Sequence, residues 1–376
     1  MPRNIVICCD GTANEFAPNK TNVLKLFYTL VHDPDRQVVF YHPGIGTMEA
    51  IGAVTSFGRK LTKVLGLAFG YGLERDIRDA YAFVMNHFEA GDRLYLFGFS
   101  RGAYTVRIVA SMLHMYGLIH RGNEPLIPYA IRMLMAVNHL GPADPAGAGP
   151  RRERDEIFEL AQGFREHFSG VPCAPHFVGI WDTVSSVGWF ENPVHVPFTD
   201  SNPGIAIGRH AVAIDERRAF FRTNLWHPKP DGGGPRDLKQ VWFPGVHKDV
   251  GGGYAEAESG LSKIALGWML REAEAAGLLV DAAKADRMLG RSDPAMAKPD
   301  PGAKLHNSLK INWWPAEFVP KRHYDWVRKT YARRMNLFRP RTIPEHALIH
   351  DSAYERGGAY LAALRARLPA TAVRVS

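Results

Sequence analysis

Cysteine is scarce in this chain: Cys8, Cys9 and Cys173 are the only three among 376 residues. Three thiols cannot build a disulfide framework. All lie in or beside apolar, strand-like runs and read as small core residues of a reducing compartment. Long apolar runs are missing as well. Ile5-Val-Ile-Cys-Cys, near the N-terminus, is too short for a signal-peptide core, and no run approaches the length that crosses a bilayer. A cytoplasmic protein is therefore expected, with any export left to a system that needs no signal peptide. Helix-turn-helix, zinc-finger and ribonucleoprotein patterns are absent too. The net charge of +8 then reads as solvated surface, and no nucleic-acid partner is expected.

What is present is core material. Apolar residues make up 46% of the chain and aromatics 11%, enough for a large interior and against global disorder. Strand-like runs at Asn4–Cys9, Gln37–Tyr41, Arg93–Phe97, His176–Trp181 and Lys239–Phe243 alternate with helical patterns at Asn22–Val31, Glu74–Phe88, Ala103–Tyr116, Glu153–Phe168 and Leu261–Ala275. Such alternation predicts an α/β fold, a mostly parallel sheet with helices on both faces. The reading is one domain over residues 1–376, with a helical insertion at 117–170 and a C-terminal cap region at 300–376. The small-residue stretch from Gly141 to Gly149 reads as a surface loop within that insertion. No internal repeat is present, and nothing in the sequence sets the oligomeric state.

The strongest local signal is Gly98-Phe-Ser100-Arg-Gly102, between the apolar run Leu94–Phe97 and a helical pattern. A serine between two glycines where a strand stops fits a nucleophile elbow, a strained strand-to-helix turn that exposes the Oγ. The glycines have a steric task there, because strand and helix approach too closely for a Cβ. The fold expected is α/β-hydrolase-like.

A serine hydroxyl needs a base, and the base needs an orienting acid. Catalytic groups collect at the carboxyl ends of strands in such sheets. Two runs end suitably: His176 to Asp182, and Val241 through His247 and Asp249 to the triple glycine 251–253. Ser100, Asp182 and His247 then follow in the chain order of α/β-hydrolases. Asp249 competes for the acid's role, and His350, at the end of another apolar run, for the base's. The oxyanion would be met by the amide of Arg101 and by the loop after the first strand, at Gly11 and Thr12, with Asp10 or Asn14 holding that turn. Asp-Gly-Thr after a strand also occurs in phosphotransferase sites, but neither a P-loop nor a further carboxylate motif accompanies it.

Two segments have a second reading. Trp313 to Phe338 mixes paired tryptophans with six Lys and Arg residues, a composition suited to peripheral membrane contact; packing of a C-terminal cap is the plainer account. Ile51 to Gly72 is apolar and glycine-rich with basic residues, suiting either a flap beside a site or a buried helix.

ICCDGTANE, YHPGIGT, LFGFSRGAY, FVGIWDTV, RHAVAIDERRAFF, VWFPGVHKDVGGGY and LIHDSAYER together resemble the DUF2235 family, which includes phospholipase effectors of type VI secretion systems. The resemblance runs from the first strand to about Arg356. It implies an α/β-hydrolase fold, a serine esterase or lipase triad, and Ser100 as nucleophile. A long additional membrane-anchoring domain, as in the large secreted effectors, is not expected within these residues. The reading is a serine hydrolase acting on an ester or phospholipid substrate, with no metal and no organic cofactor. Two others stand beside it: a catalytically silent hydrolase-fold protein that binds an anionic or membrane partner, and a phosphoesterase whose metal is held by Asp10, Asp182, His247 and Asp249.

Overall fold

The computed structural model describes residues 2–11, 20–44, 59–139, 151–184, 196–227, 233–325 and 330–376. The strands in chain order are β1 (Asn4–Cys9), β2 (Gln37–His42), β3 (Arg93–Phe99), β4 (Leu118–Ile119), β5 (Ser169–Val171), β6 (Pro175–Trp181), β7 (Ile207–Ala213), β8 (Asp237–Phe243), β9 (Lys321–Asp325), β10 (Thr330–Arg334), β11 (Leu348–His350) and β12 (Val373–Val375). The main helices are α1 (Asn22–Thr29), α2 (Arg59–His87), α3 (Arg101–Tyr116), α4 (Ile127–His139), α5 (Arg151–Phe168), α6 (His247–Gly251) and α7 (Gly260–Ala275). Among the described residues, eight strands form one sheet in the order β12-β11-β8-β7-β6-β3-β1-β2. Every pairing within it is parallel. The fold is α/β, a parallel sheet with helices on both faces, as the alternation predicts.

Successive side chains of a strand serve opposite faces. In β1, Ile5, Ile7 and Cys9 join the core under α2, α3, α4 and α5, while Val6 and Cys8 join the core under α1 and α7. A strand buried on both faces reads as a continuous apolar run, hence NIVICC. All three cysteines are free and buried, and burial pushes each thiol well up.

β7, which the apolar-run criterion passes over, lies at the centre of the sheet. Its Arg209 and His210 interrupt the apolar pattern, yet both are buried. Arg209 is neutralised by Glu272 and Asp237 at 2.5 and 2.7 Å, and burial, with Arg107 adding to it, pushes the His210 imidazole down to about 3. The C-terminal region does more than cover the sheet: β11 and β12 extend it, and the antiparallel pair β9–β10 stands apart. Residues 117–170 carry the β4–β5 pair with α4 and α5. Of the segment Ile51 to Gly72, residues from Arg59 onward are the start of α2; residues 51–58 lie outside the described residues, as does the stretch 141–149.

Candidate active site

Ser100 follows β3 and precedes α3 with φ 57° and ψ −120°. A non-glycine residue at positive φ is strained. The turn can be that tight because of its glycines. A Cβ on Gly102 would lie 2.1 Å from the Cys9 carbonyl oxygen, and one on Gly98 would lie 2.5 Å from the Gly102 carbonyl oxygen. The amide of Ser100 donates to the Trp181 carbonyl at 3.1 Å, tying the turn to the end of β6.

Asp182 follows Trp181, also at positive φ, 37°, and Phe99 pairs with Trp181 across the strands. Ser100 and Asp182 therefore leave neighbouring strands side by side. His247 follows β8 and opens α6. Its Nδ1 lies 2.5 Å from Asp182 Oδ2, both groups are buried, and its ring packs between Phe99 and Phe221 at centroid distances of 4.6 and 4.8 Å. Burial lowers the imidazole below its ordinary value although Asp182 pulls the other way. Burial alone would raise Asp182, but Arg341 and His247 outweigh it and hold the carboxyl well below the usual range.

Asp249 does not meet the His247 ring. Its carboxylate accepts from the Val246 amide at 3.0 Å and from His306 Nδ1 at 2.6 Å, bracing the turn into α6. His350 stacks on Phe243 at 4.5 Å, and its Nδ1 bonds Ser352; it caps the helix Asp351–Glu355. Asp10 does hold the first loop, accepting from Thr21 Oγ1 at 2.5 Å and from the Tyr41 hydroxyl at 2.9 Å. The Gly11 amide, expected to help bind the oxyanion, donates to the Asp10 carboxylate at 2.7 Å. Thr12 and Asn14 lie outside the described residues. Arg101 is the first residue of α3, and its guanidinium is anchored to Asp76 of α2 at 3.1 Å. Asp10, Asp182, Asp249 and His247 do not gather: among the described residues no three His, Cys, Asp or Glu side chains could share a metal ion.

Two residues of the site escape the sequence reading. Arg341 donates from both guanidinium ends to Asp182, at 2.5 and 3.1 Å. Glu216, almost wholly buried, accepts from the His247 amide at 3.2 Å, from Arg218 and from the Ser308 hydroxyl. Burial opposes its ionisation, but Arg218 holds it down to about 2.

Residues 3–272 match the family described as "T6SS, Phospholipase effector Tle1-like, catalytic domain". The chain belongs to this Tle1-like family. An uncharacterized protein of Saccharomyces cerevisiae is 35% identical over 236 residues, 61% of this chain and 33% of the yeast protein. Two solved structures are more distant. An uncharacterized protein from Pseudomonas aeruginosa aligns with TM-score 0.40 and 20% identity over 74% of this chain and 46% of its own. The Tle1 effector bound to the VgrG spike of the type 6 secretion system aligns with TM-score 0.35 and 19% identity, over 69% and 52%. This Tle1-like chain spans between a third and about half the length of these relatives. Among its described residues, no helix is long and apolar enough to cross a membrane.

Proposed function

We propose that the chain is a serine hydrolase that cleaves carboxylic esters of phospholipids through an acyl-serine intermediate. Ser100 Oγ attacks the ester carbonyl while His247 Nε2 takes its proton, and the developing imidazolium is stabilised through Nδ1 by Asp182. The Arg101 amide, next after the nucleophile, faces the oxyanion. Collapse of the tetrahedral intermediate expels the alcohol, which takes the proton from His247 and leaves the acyl-serine. Water, deprotonated by the same imidazole, then releases the fatty acid. The observation that carries this reading is the 2.5 Å contact between His247 and Asp182, at the strand edge where Ser100 is held at positive φ. Membership of a phospholipase effector family supports a lipid substrate and export without a signal peptide.

A fluorophosphonate probe tests it. The parent chain should be labelled and Ser100→Ala should not, while Ser100→Ala keeps its fold and retains no more than roughly a few per cent of p-nitrophenyl ester hydrolysis. An unlabelled parent would favour the silent binding protein. Hydrolysis that survives in Ser100→Ala but is lost to a chelator would favour the metal-dependent phosphoesterase.

A further inference from the structure

Beside the His247–Asp182 pair lies a cleft of about 150 Å³ between residues 216–223 and 334–342. Six arginines line it, Arg217, Arg218, Arg222, Arg334, Arg339 and Arg341, against one lining carboxylate, Glu216. That imbalance is only partly offset. Glu216 is matched by Arg218 at 2.9 Å, and Arg341 by Asp182 beyond the cleft wall. Arg217 donates twice to the Phe338 carbonyl, at 2.9 and 2.7 Å, and Arg222 to the Asn336 side-chain oxygen at 2.5 Å. These neutral oxygens accept from the two guanidinium groups without supplying a countercharge, Glu317 pulling on Arg222 from outside the lining. Arg222 shows the strain of this crowding: its buried Nε has no hydrogen-bond partner. Burial, reinforced by Arg334 and Arg341 against the pull of Glu317, pushes its guanidinium down to about 9. Guanidinium forks gathered in a concave site suit one ligand chemistry above others, the phosphate oxygens.

We infer that this cleft is a phosphate subsite that takes the headgroup of a phospholipid while its ester lies at Ser100. The rim argues for a lipid over a free anion. Half of the exposed large apolar side chains among the described residues fall between Ile311 and Leu337, and Met335 among them lines the cleft itself. Phe221 joins the two places, lining the cleft while packing on the His247 ring. The headgroup assignment rests on the hydrolase reading; the phosphate site does not.

The test uses Arg217→Gln with Arg339→Gln, two exposed positions at which the fold is kept, with melting temperature as the check. Calorimetric titration with inorganic phosphate should give binding to the parent and binding about ten-fold weaker, or none, to the double variant. In kinetics, the ratio of kcat/KM for a diacyl phosphatidylglycerol to that for a p-nitrophenyl ester should fall by about the same factor. Equal phosphate binding by parent and double variant overturns the subsite. Vesicles of phosphatidylcholine with phosphatidylglycerol should displace the bound phosphate; if they leave it in place, the headgroup assignment falls and the site serves a free anion. A parent that hydrolyses neither ester sinks the hydrolase reading, and calorimetry still decides the phosphate site.

Discussion

At Asp182 an imidazole and a guanidinium share one carboxylate, and on the proposed mechanism they do different things for it. The His247 ring is the group to be oriented, whereas Arg341 keeps a buried acid ionised. Removing one partner of such a buried pair costs about 3–5 kcal/mol. Arg341→Gln should therefore lower the melting temperature, and it should also move the chemistry. Without the guanidinium, burial raises the Asp182 carboxyl, so the acid limb of the kcat/KM profile should shift to higher pH, which loss of packing alone would not produce. Burial sets the parent's own profile. Because the His247 imidazole lies below its ordinary value of 6.5, the neutral base persists below that pH, and kcat/KM should stay level through 6.5 before it falls. The same depression makes the fold lose stability as pH drops below 6.5, where the unfolded chain takes up a proton that the native ring refuses. Asp182→Asn should reduce kcat by something on the order of 10⁴, whereas Asp249→Asn should act through the stability of the turn into α6. Asp182 and His247 were legible as strand ends in the right chain order. Arg341 was not, because Pro340-Arg-Thr belongs to no motif and its importance exists only once the fold brings it 159 positions along the chain to Asp182. Glu216 sat in plain view within IDERRAFF, and its signal is an acid directly preceding two arginines in a strand-following turn.

The elements repeat that lesson. β1, β3 and β6 announce themselves because strands buried on both faces must be apolar nearly throughout, and β8 does so only through its buried end, Val241–Phe243. β7 hides because its buried polar residues have partners supplied by other elements, Glu272 and Asp237 for Arg209 and Gln240 for His210. β11 and β12 are too short to raise a pattern. The junction between β3 and α3 is where backbone meets backbone, and it permits a sharp comparison. Gly102→Ala would push a Cβ to 2.1 Å from the Cys9 carbonyl oxygen, while a Cβ on Gly163 in α5 meets nothing within 4 Å. Gly163→Ala should stabilise by about 0.5–1 kcal/mol through helix propensity. Gly102→Ala should destabilise by several times that amount and disturb Ser100. Paired denaturant titrations would show whether the two alanines move the midpoint in opposite directions.

For the whole molecule, the family match ends at residue 272, yet the site does not. Ser308, Arg341 and β11 all lie beyond it, and β11 pairs with β8, the strand that leads to His247. A chain ended at residue 300 would contain Ser100, Asp182 and His247 and would still leave β8 an open edge and Asp182 without its guanidinium. It should neither hydrolyse esters nor take up a fluorophosphonate. A chain ended at residue 371 loses only β12 and should keep its activity at a lower melting temperature. Assay of the two truncations side by side separates loss of the site from loss of an edge.

The distance between Ser100 and Arg341 along the chain also has a meaning in time. Synthesis runs from the N-terminus, and early segments fold while later ones are still being added. The turn that strains the serine can close once β1, β3 and α3 exist, but the charge that keeps Asp182 ionised arrives only with Arg341. On the proposed mechanism, a nascent chain would thus carry a nucleophile with no working relay, and that order withholds hydrolysis until residue 341 has been made.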